Sequence, residues 1–193
     1  LRPEPTEGQP GYRFHWNSPL IGSRHQRGAM YLAGNRVFKL TDHGESWRPM
    51  SPDLSTRNVD RILATGSGAE TYGVVYALAE SPRKAGLLWA GTDDGKLWVT
   101  EDDGATWRDL TASLPAEVKG EWIQQVEASW ADERVAYVVV EAHRSQKLAP
   151  YVLRTEDLGR TWRSVSANLP ANWPAKVVRE HPRNPSLLFA GTE

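Results

Sequence analysis

The sequence predicts an all-β fold that is built from repeated four-stranded antiparallel sheets. An eight-residue phrase occurs three times, as LTDHGESW, TEDDGATW and TEDLGRTW, and its closing tryptophan recurs at Trp47, Trp107 and Trp162. Short runs rich in Val, Leu, Tyr and Trp surround each copy and are bounded by Gly, Pro and Asp, as strands usually are. No long segment has the periodicity of an amphipathic helix.

The second repeat unit shows the predicted strands most clearly. We expect strands at about 74–80, 87–92, 96–100 and 106–110. The segment TDDGK should form a tight turn between the second and third strands, because Asp-Gly supplies the positive φ angles that such turns need. The segment EDDGAT should form another turn between the third and fourth strands.

The repeat is longer than the phrase and predicts a β-propeller. The runs AMYLAGNRVFKL, LLWAGTDDGKLWV and VAYVVVEAHRSQKLAPYVLR precede the three copies, whose tryptophans are 60 and 55 residues apart. Four antiparallel strands at such an interval are typical of propeller blades, in which each sheet covers its neighbour. A β-sandwich is the main alternative, and it explains the regular phrase poorly.

The blade count predicts an incomplete ring. The final run SLLFAGTE resembles the opening of a fourth unit, which gives about three and a half blades in one partial propeller over 1–193. We expect the blades at roughly 12–54, 60–115, 121–170 and 175–193. Closed propellers have about four to eight blades. The chain is therefore interpreted as a fragment of a longer protein, or as one of two copies that associate to complete a ring.

Each phrase has the composition of a self-contained turn. Its Asp can accept backbone N–H bonds, its Gly can adopt the left-handed conformation, and its Trp can fix the turn to the sheet. Leu40 replaces the hydroxyl residue that leads the other two copies, so the first turn should lack one hydrogen bond.

These residues resemble an Asp-box, also called a BNR repeat, and two copies match all of its fixed positions. The segments GYRFHWNSPL, LLWAGTDDGKLWVTEDDGATW and PYVLRTEDLGRTWRSVSANLP resemble large bacterial BNR proteins of the sortilin-like class, many of which are labelled glycosyl hydrolases. Asp-boxes also occur in sialidases, two-propeller xyloglucanases and a photosystem assembly factor.

In those families the box lies on the outer part of the blade, away from the axial site. The resemblance therefore implies a structural role for the box residues, and it also implies an extracytoplasmic setting, periplasmic or secreted. The residues are Asp42, Gly44, Trp47, Asp102, Gly104, Trp107, Asp157, Gly159 and Trp162.

The composition argues against several functions. The 23 basic and 24 acidic residues are balanced, so there is no basic field for nucleic acid. No apolar stretch has membrane-spanning length, and no signal peptide is visible. Cysteine is absent, and the five histidines lack the paired spacing of metal ligands. We expect neither a metal nor a cofactor.

Glycoside hydrolysis needs two carboxylates across a cleft. The catalytic candidates are Glu80, Glu127 and Glu180 at the predicted ends of the first strands, with Asp93 and Asp94 as alternatives on a turn. A structural explanation is available for each, since Glu80-Ser-Pro and Glu180-His-Pro occupy the same repeat position and can cap equivalent turns. The Phe/Tyr-Arg-Ile-Pro motif of sialidases is absent, and YRFH at 12–15 is the nearest string.

The candidate ligand-binding residues are Glu141, His143 and Arg144, together with Arg179. The first three lie on the longest predicted connection between a second and a third strand, where repeat proteins often bind ligands. A solvated polar loop is the alternative. Four tryptophans can stack on sugar rings or, more in keeping with blade packing, fill the core: Trp89, Trp98, Trp122 and Trp173.

The predicted function is a non-catalytic propeller segment that binds or scaffolds a protein, peptide or glycan. The alternative is part of a glycoside hydrolase of the xyloglucanase or sialidase-like type. Paired carboxylates across an open groove would favour the enzyme, and a channel lined by mixed polar groups would favour the binding module.

Overall fold

The computed structural model describes residues 2–42, 45–64 and 71–193. Within these ranges the strands form three four-stranded sheets and one two-stranded sheet, and consecutive strands of the same sheet pair antiparallel. The first sheet contains β1 (Leu20–Gly22), β2 (Met30–Ala33), β3 (Val37–Leu40) and β4 (Arg48–Pro49). The second contains β5 (Val75–Glu80), β6 (Leu88–Thr92), β7 (Leu97–Thr100) and β8 (Arg108–Asp109). The third contains β9 (Trp122–Ala128), β10 (Ala136–Glu141), β11 (Tyr151–Thr155) and β12 (Arg163–Ser164), and the fourth contains β13 (Ala175–His181) and β14 (Asn184–Thr192).

Helical structure is short and lies in the connections between strands. Helix α1 spans Val59–Ala64, and 3₁₀ turns span Thr111–Ser113, Ala116–Val118 and His143–Ser145. None of the helices in the described ranges is both long enough and apolar enough to cross a bilayer.

The sheets follow one another as the blades of a propeller with an incomplete ring, which confirms the predicted fold class. The first strands of the four sheets line a common cleft, and we call β1, β5, β9 and β13 the inner strands. Strand β5 contacts β9, and β9 contacts β13. The four strands of the second unit lie within two residues of their predicted positions.

Alternating side chains bury both faces of the middle strands. In β6, Leu88 and Ala90 pack toward the first sheet, whereas Trp89 packs toward the third. In β10, Val138 packs toward the second sheet and Tyr137 toward the fourth. All of these side chains are buried. The period of two along a strand thus supplies one apolar layer to each neighbouring sheet.

The second copy of the repeated phrase forms a closed turn between β7 and β8. Thr106 donates to the Asp102 carboxylate through its backbone N–H (2.9 Å) and its hydroxyl (2.6 Å), and the Thr100 hydroxyl donates to it at 2.8 Å. The Thr100 hydroxyl also accepts the Gly104 N–H at 2.9 Å. These bonds favour the charged carboxylate, and those from Thr106 contribute most to lowering the Asp102 pKa to about 2.

The third copy has the same geometry, and the first copy departs from it as expected. Burial raises the pKa of Asp157, but hydrogen bonds from Thr161 and Thr155 bring it down to about 2. Asp42 accepts from the backbone and the hydroxyl of Ser46, and Leu40 has no hydroxyl to donate. Gly44, which was predicted to be structural, lies outside the described residues.

The repeated turn also joins each sheet to the one before it. The Trp107 indole N–H donates to the Met50 carbonyl at 2.8 Å, and the Trp162 indole N–H donates to the Ser113 hydroxyl at 3.1 Å. Gly104 has φ of +84°, and a Cβ there would lie 2.4 Å from the Met50 carbonyl oxygen. Glycine is therefore required both by the backbone conformation and by the close approach of the preceding sheet.

Replacing Gly104 by alanine should destabilise the protein more than the same change at Gly120. Both glycines have positive φ, but a Cβ at Gly120 meets no atom within 4 Å. Gly120→Ala should cost about 1–2 kcal/mol of unfolding free energy for the left-handed backbone alone. Gly104→Ala should cost about 3 kcal/mol or more, because the overlap with Met50 is added. Urea unfolding measures both, and equal losses would contradict the inter-sheet contact.

Candidate functional site

Two of the predicted catalytic carboxylates hold neighbouring sheets together. Glu80, at the end of β5, accepts the hydroxyl of Ser23 (2.9 Å) and the backbone N–H of Arg24 (2.6 Å) from the turn after β1. It also accepts the Tyr31 hydroxyl at 3.2 Å. Glu80 is 5 % exposed, so it is poorly accessible to a substrate.

Glu180 forms the same bridge between the third and fourth sheets. It accepts the Ser129 hydroxyl (2.8 Å), the Trp130 backbone N–H (2.5 Å) and the Tyr137 hydroxyl (3.0 Å). Burial and the charge of Glu180 raise the pKa of Tyr137 to about 12. We call these two sets of bonds, centred on Glu80 and Glu180, the carboxylate bridges.

Glu127 does not share this repeat position. The residue of β9 that corresponds to Glu80 is Ala128, because each of the two ends its strand and is followed by a serine, Ser129 or Ser81. Glu127 lies one residue earlier and makes an ion pair with Arg179 at 3.1 Å. Burial raises the pKa of Glu127, and the charges of Arg179 and Arg24 offset part of the increase. The three glutamates therefore do not form one equivalent set.

The residues predicted on the long connection separate into two groups. The connection runs between β10 and β11 and contains the 3₁₀ turn His143–Ser145. Glu141 is buried and pairs with both His143 and Lys176 of β13. Arg144 is exposed, and its guanidinium lies 4.2 Å from the centre of the Trp122 ring. Glu141 thus fixes the loop to the fourth sheet, whereas Arg144 covers an aromatic surface.

That aromatic surface belongs to a cleft of about 410 Å³ at the end of the propeller where the inner strands begin. We call it the aromatic cleft. The Tyr76 and Trp122 rings meet edge to face with centroids 4.6 Å apart, and His15 lies 5.4 Å from Tyr76. The Asn17 amide donates to the Tyr76 hydroxyl at 2.9 Å. The full lining comprises His15, Asn17, Tyr72, Tyr76, Asp93, Trp122 and Arg144.

A register shift turns one residue of each inner strand from β5 onward out of the regular ladder. The shifts fall between Val75 and Ala77 in β5, between Ile123 and Gln125 in β9, and between Ala175 and Val177 in β13. The residues left out are Tyr76, Gln124 and Lys176. Bulges of this kind often direct side chains toward functional sites, and here one contributes Tyr76 to the aromatic cleft.

Asp93 is the carboxylate of the aromatic cleft. It accepts the backbone N–H groups of Gly73 (3.0 Å) and Val74 (2.8 Å). Burial raises its pKa to about 7, and the nearby charge of Asp94 adds to the increase. Asp94 itself accepts Thr92 and Thr56 and contributes to the turn and the preceding segment.

The tryptophans that were considered for sugar stacking differ in exposure. Trp89 is fully buried between the second and third sheets, and the Trp98 indole donates to the Leu54 carbonyl at 2.7 Å. Trp173 is 55 % exposed but does not line the aromatic cleft. Only Trp122, of these four, contributes to that cleft.

Among the described residues, no group of three His, Asp or Glu side chains is arranged to hold a metal ion. Sequence reasoning identified Arg144, Trp122 and Asp93 as candidates but did not bring them together. It did not single out His15, Asn17 or Tyr76 as site residues. The signal for Tyr76 is a bulge, which a single sequence does not reveal.

Several solved structures share this fold at low sequence identity. An ancestral GH74 enzyme superposes with a TM-score of 0.65 at 15 % identity, over 95 % of this chain and 22 % of that protein. The GH74 xyloglucanase from Xanthomonas campestris gives 0.59 at 21 % identity, over 82 % of this chain and 24 % of that protein. YCF48 bound to the D1 peptide gives 0.55 at 14 % identity, over 89 % of this chain and 48 % of that protein.

The chain thus spans about a quarter of the GH74 enzymes and about half of YCF48. The likeness at these identities concerns the fold alone. No protein-family model matches the chain, and no curated protein matches it in sequence.

The raised pKa of Asp93 predicts a pH-dependent stability that Asp93→Asn removes. Between about pH 4 and pH 7 the unfolded chain carries an ionised Asp93, whereas the folded chain keeps it protonated. Protonation of Asp93 therefore stabilises the folded state. This contribution is complete below about pH 4 and is lost as the pH rises through about 7. Relative to the variant, the wild type should lose up to about 4 kcal/mol of unfolding free energy over this range.

Urea unfolding at several pH values measures this difference, and Glu133→Gln, which removes an exposed carboxylate, is the control. The control should follow the wild-type profile. If Asp93→Asn follows it too, Asp93 is ionised in the folded protein throughout this range.

Proposed function

We propose that this chain is a non-catalytic binding segment of a propeller and that its ligand is a glycan held in the aromatic cleft. The observation that carries the proposal is the half-buried Tyr76–Trp122 pair in the lining of a cleft, with Arg144, Asn17 and His15 around it. Aromatic rings offer apolar surface to the C–H faces of a sugar, while amide, imidazole and guanidinium groups suit its hydroxyls.

The state of the carboxylates supports binding rather than hydrolysis. Glu80 and Glu180 are buried and each accepts several hydrogen bonds, so neither is free to donate or accept a proton at a substrate. Asp93 is the single carboxylate in the lining of the aromatic cleft among the described residues. A glycosidase needs a second one at a defined separation across its cleft.

The alternative is that the chain forms part of a glycoside hydrolase. The likeness to GH74 enzymes supports it, as does the raised pKa of Asp93, which is suited to a general acid. In that case the second carboxylate would come from elsewhere in a longer protein. A peptide ligand is a further candidate, since YCF48 has been solved with one.

The Asp-box assignment and the sortilin-like relationship belong to the same proposal. The repeated hydrogen bonds of Asp102 and Asp157 and the inter-sheet contacts of their tryptophans support a structural role for the boxes. An extracytoplasmic setting and self-association that completes a ring remain predictions from the sequence.

Trp122→Ala should weaken glycan binding at least about tenfold, because truncating a central aromatic residue usually removes a large share of the binding energy. Cellohexaose and a xyloglucan heptasaccharide are suitable probes, with binding measured by isothermal titration calorimetry. Trp122→Phe keeps an aromatic ring and should lose less. Trp173→Ala removes an exposed tryptophan outside the cleft and should bind as the wild type does.

Urea unfolding of each variant separates lost binding from lost folding. Wild-type protein that binds neither probe, or Trp122→Ala protein that binds both unchanged, contradicts the proposal. Release of reducing ends from xyloglucan that is abolished by Asp93→Asn would instead favour the hydrolase.

A further inference from the structure

We propose that a second binding site lies at the opposite end of the inner strands and that it takes a carboxylate group between Arg24 and Arg179, beside Trp130. Its ligand class is a sugar acid, in which a pyranose ring carries the carboxylate. This site goes beyond the proposed function, because Arg24, Trp130 and Arg179 do not line the aromatic cleft.

The site belongs to a cleft of about 510 Å³ that is lined by residues of all four inner strands and the segments that follow them. We call it the inner cleft. Tyr76 and Gln124 line it near the beginning of the strands, and Arg24, Trp130 and Arg179 line it near their ends. A concave surface built from several blades is the usual form of a small-molecule site.

The carboxylate bridges hold Arg24 and Trp130 in position. Glu80 accepts the backbone N–H of Arg24, and Glu180 accepts the backbone N–H of Trp130. The Arg24 guanidinium lies 4.5 Å from the centre of the Trp130 ring, although Arg24 follows β1 of the first sheet and Trp130 follows β9 of the third. The arginine is therefore oriented before any ligand arrives, which reduces the entropic cost of binding.

Arg179 supplies a second guanidinium from β13. It donates to Glu127 at 3.1 Å and to the Val178 carbonyl at 3.0 Å, both through the same nitrogen. Strand β13 is fixed against β9 by Gln125, whose side-chain amide both donates to and accepts from the Val178 backbone. Arg179 therefore has a fixed base and N–H groups that remain available to a ligand.

The accessible charges of the inner cleft favour an anion. Arg24 is exposed, and the Arg179 side chain is 57 % exposed. Glu127 is the nearest competing carboxylate, and its side chain is only 15 % exposed. Glu80 and Glu180 are almost fully buried, and their oxygens already accept hydroxyl and backbone N–H groups.

The donor geometry points to a carboxylate on a ring. A guanidinium presents parallel N–H groups that match the two oxygens of a carboxylate. The Arg24 guanidinium covers one face of the Trp130 indole, and the apolar surface that this half-buried indole still exposes would contact the ring that carries the carboxylate. A hexuronic acid combines the two features, whereas its neutral parent sugar lacks the charge.

Calorimetric titration with glucuronate, glucose and acetate tests the site on the full chain. Glucuronate should bind, glucose should bind at least about tenfold more weakly, and acetate should compete weakly with glucuronate. Arg24→Gln and Arg179→Gln should each weaken glucuronate binding at least about tenfold. Arg83→Gln, on the corresponding turn of the second sheet and outside the cleft lining, should have no effect.

The other outcomes separate the two sites. Equal binding of glucose and glucuronate would overturn the carboxylate assignment, and equal binding of acetate and glucuronate would overturn the sugar acid as the ligand class. Glucuronate binding that Trp122→Ala abolishes and Arg24→Gln leaves intact would assign the ligand to the aromatic cleft. No binding of glucuronate by correctly folded wild-type protein would also overturn the proposal.

Discussion

Burial of both faces of the middle sheets is the constraint on which the rest of this structure depends. Strands β6 and β10 are buried along their whole length, and their alternating side chains enter two different apolar clusters. A four-stranded sheet of this kind has no stable solvated face, because both its surfaces are apolar. Each sheet therefore requires its neighbours, and the contacts at the sheet edges determine how closely those neighbours approach.

The repeated residues provide those edge contacts, and the unrepeated residues form the clefts. Asp102 and Asp157 close turns whose tryptophans reach the preceding sheet, and Glu80 and Glu180 make equivalent bridges at the inner strands. Trp122, by contrast, has no counterpart at the start of β5 or β13. A repeat supplies a regular framework, and functional differences arise where individual blades depart from it.

The local features of the fold could be predicted from the sequence because they depend on neighbouring residues. The turn around Asp102 and the strands beside it follow from residue type and spacing. Glu127 is an exception, because its sequence position suggested a role equivalent to that of Glu80 and Glu180. It lies one residue away from the position of Glu80 and Glu180, and a shift of one residue in a strand directs a side chain to the other face.

The clefts could not be predicted because they depend on contacts between distant parts of the chain. Tyr76 meets Trp122, and Arg24 meets Trp130, only after successive sheets have packed. The bulge that leaves Tyr76 out of the ladder is likewise a property of strand pairing rather than of composition. Sequence alone therefore identified Trp122 and Arg144 as candidates without the surface that they share.

Hydrogen exchange at the indole N–H groups of Trp107 and Trp162 tests whether the repeated turns join the sheets into one cooperative unit. Each group donates to the preceding sheet. Both groups should exchange only on global unfolding, with the same opening free energy as the amides of β6 and β10. The exposed Trp173 indole should be unprotected. Rapid exchange at Trp107 and Trp162 while those amides stay protected would contradict a cooperative unit, because the turns would then open independently of the sheets.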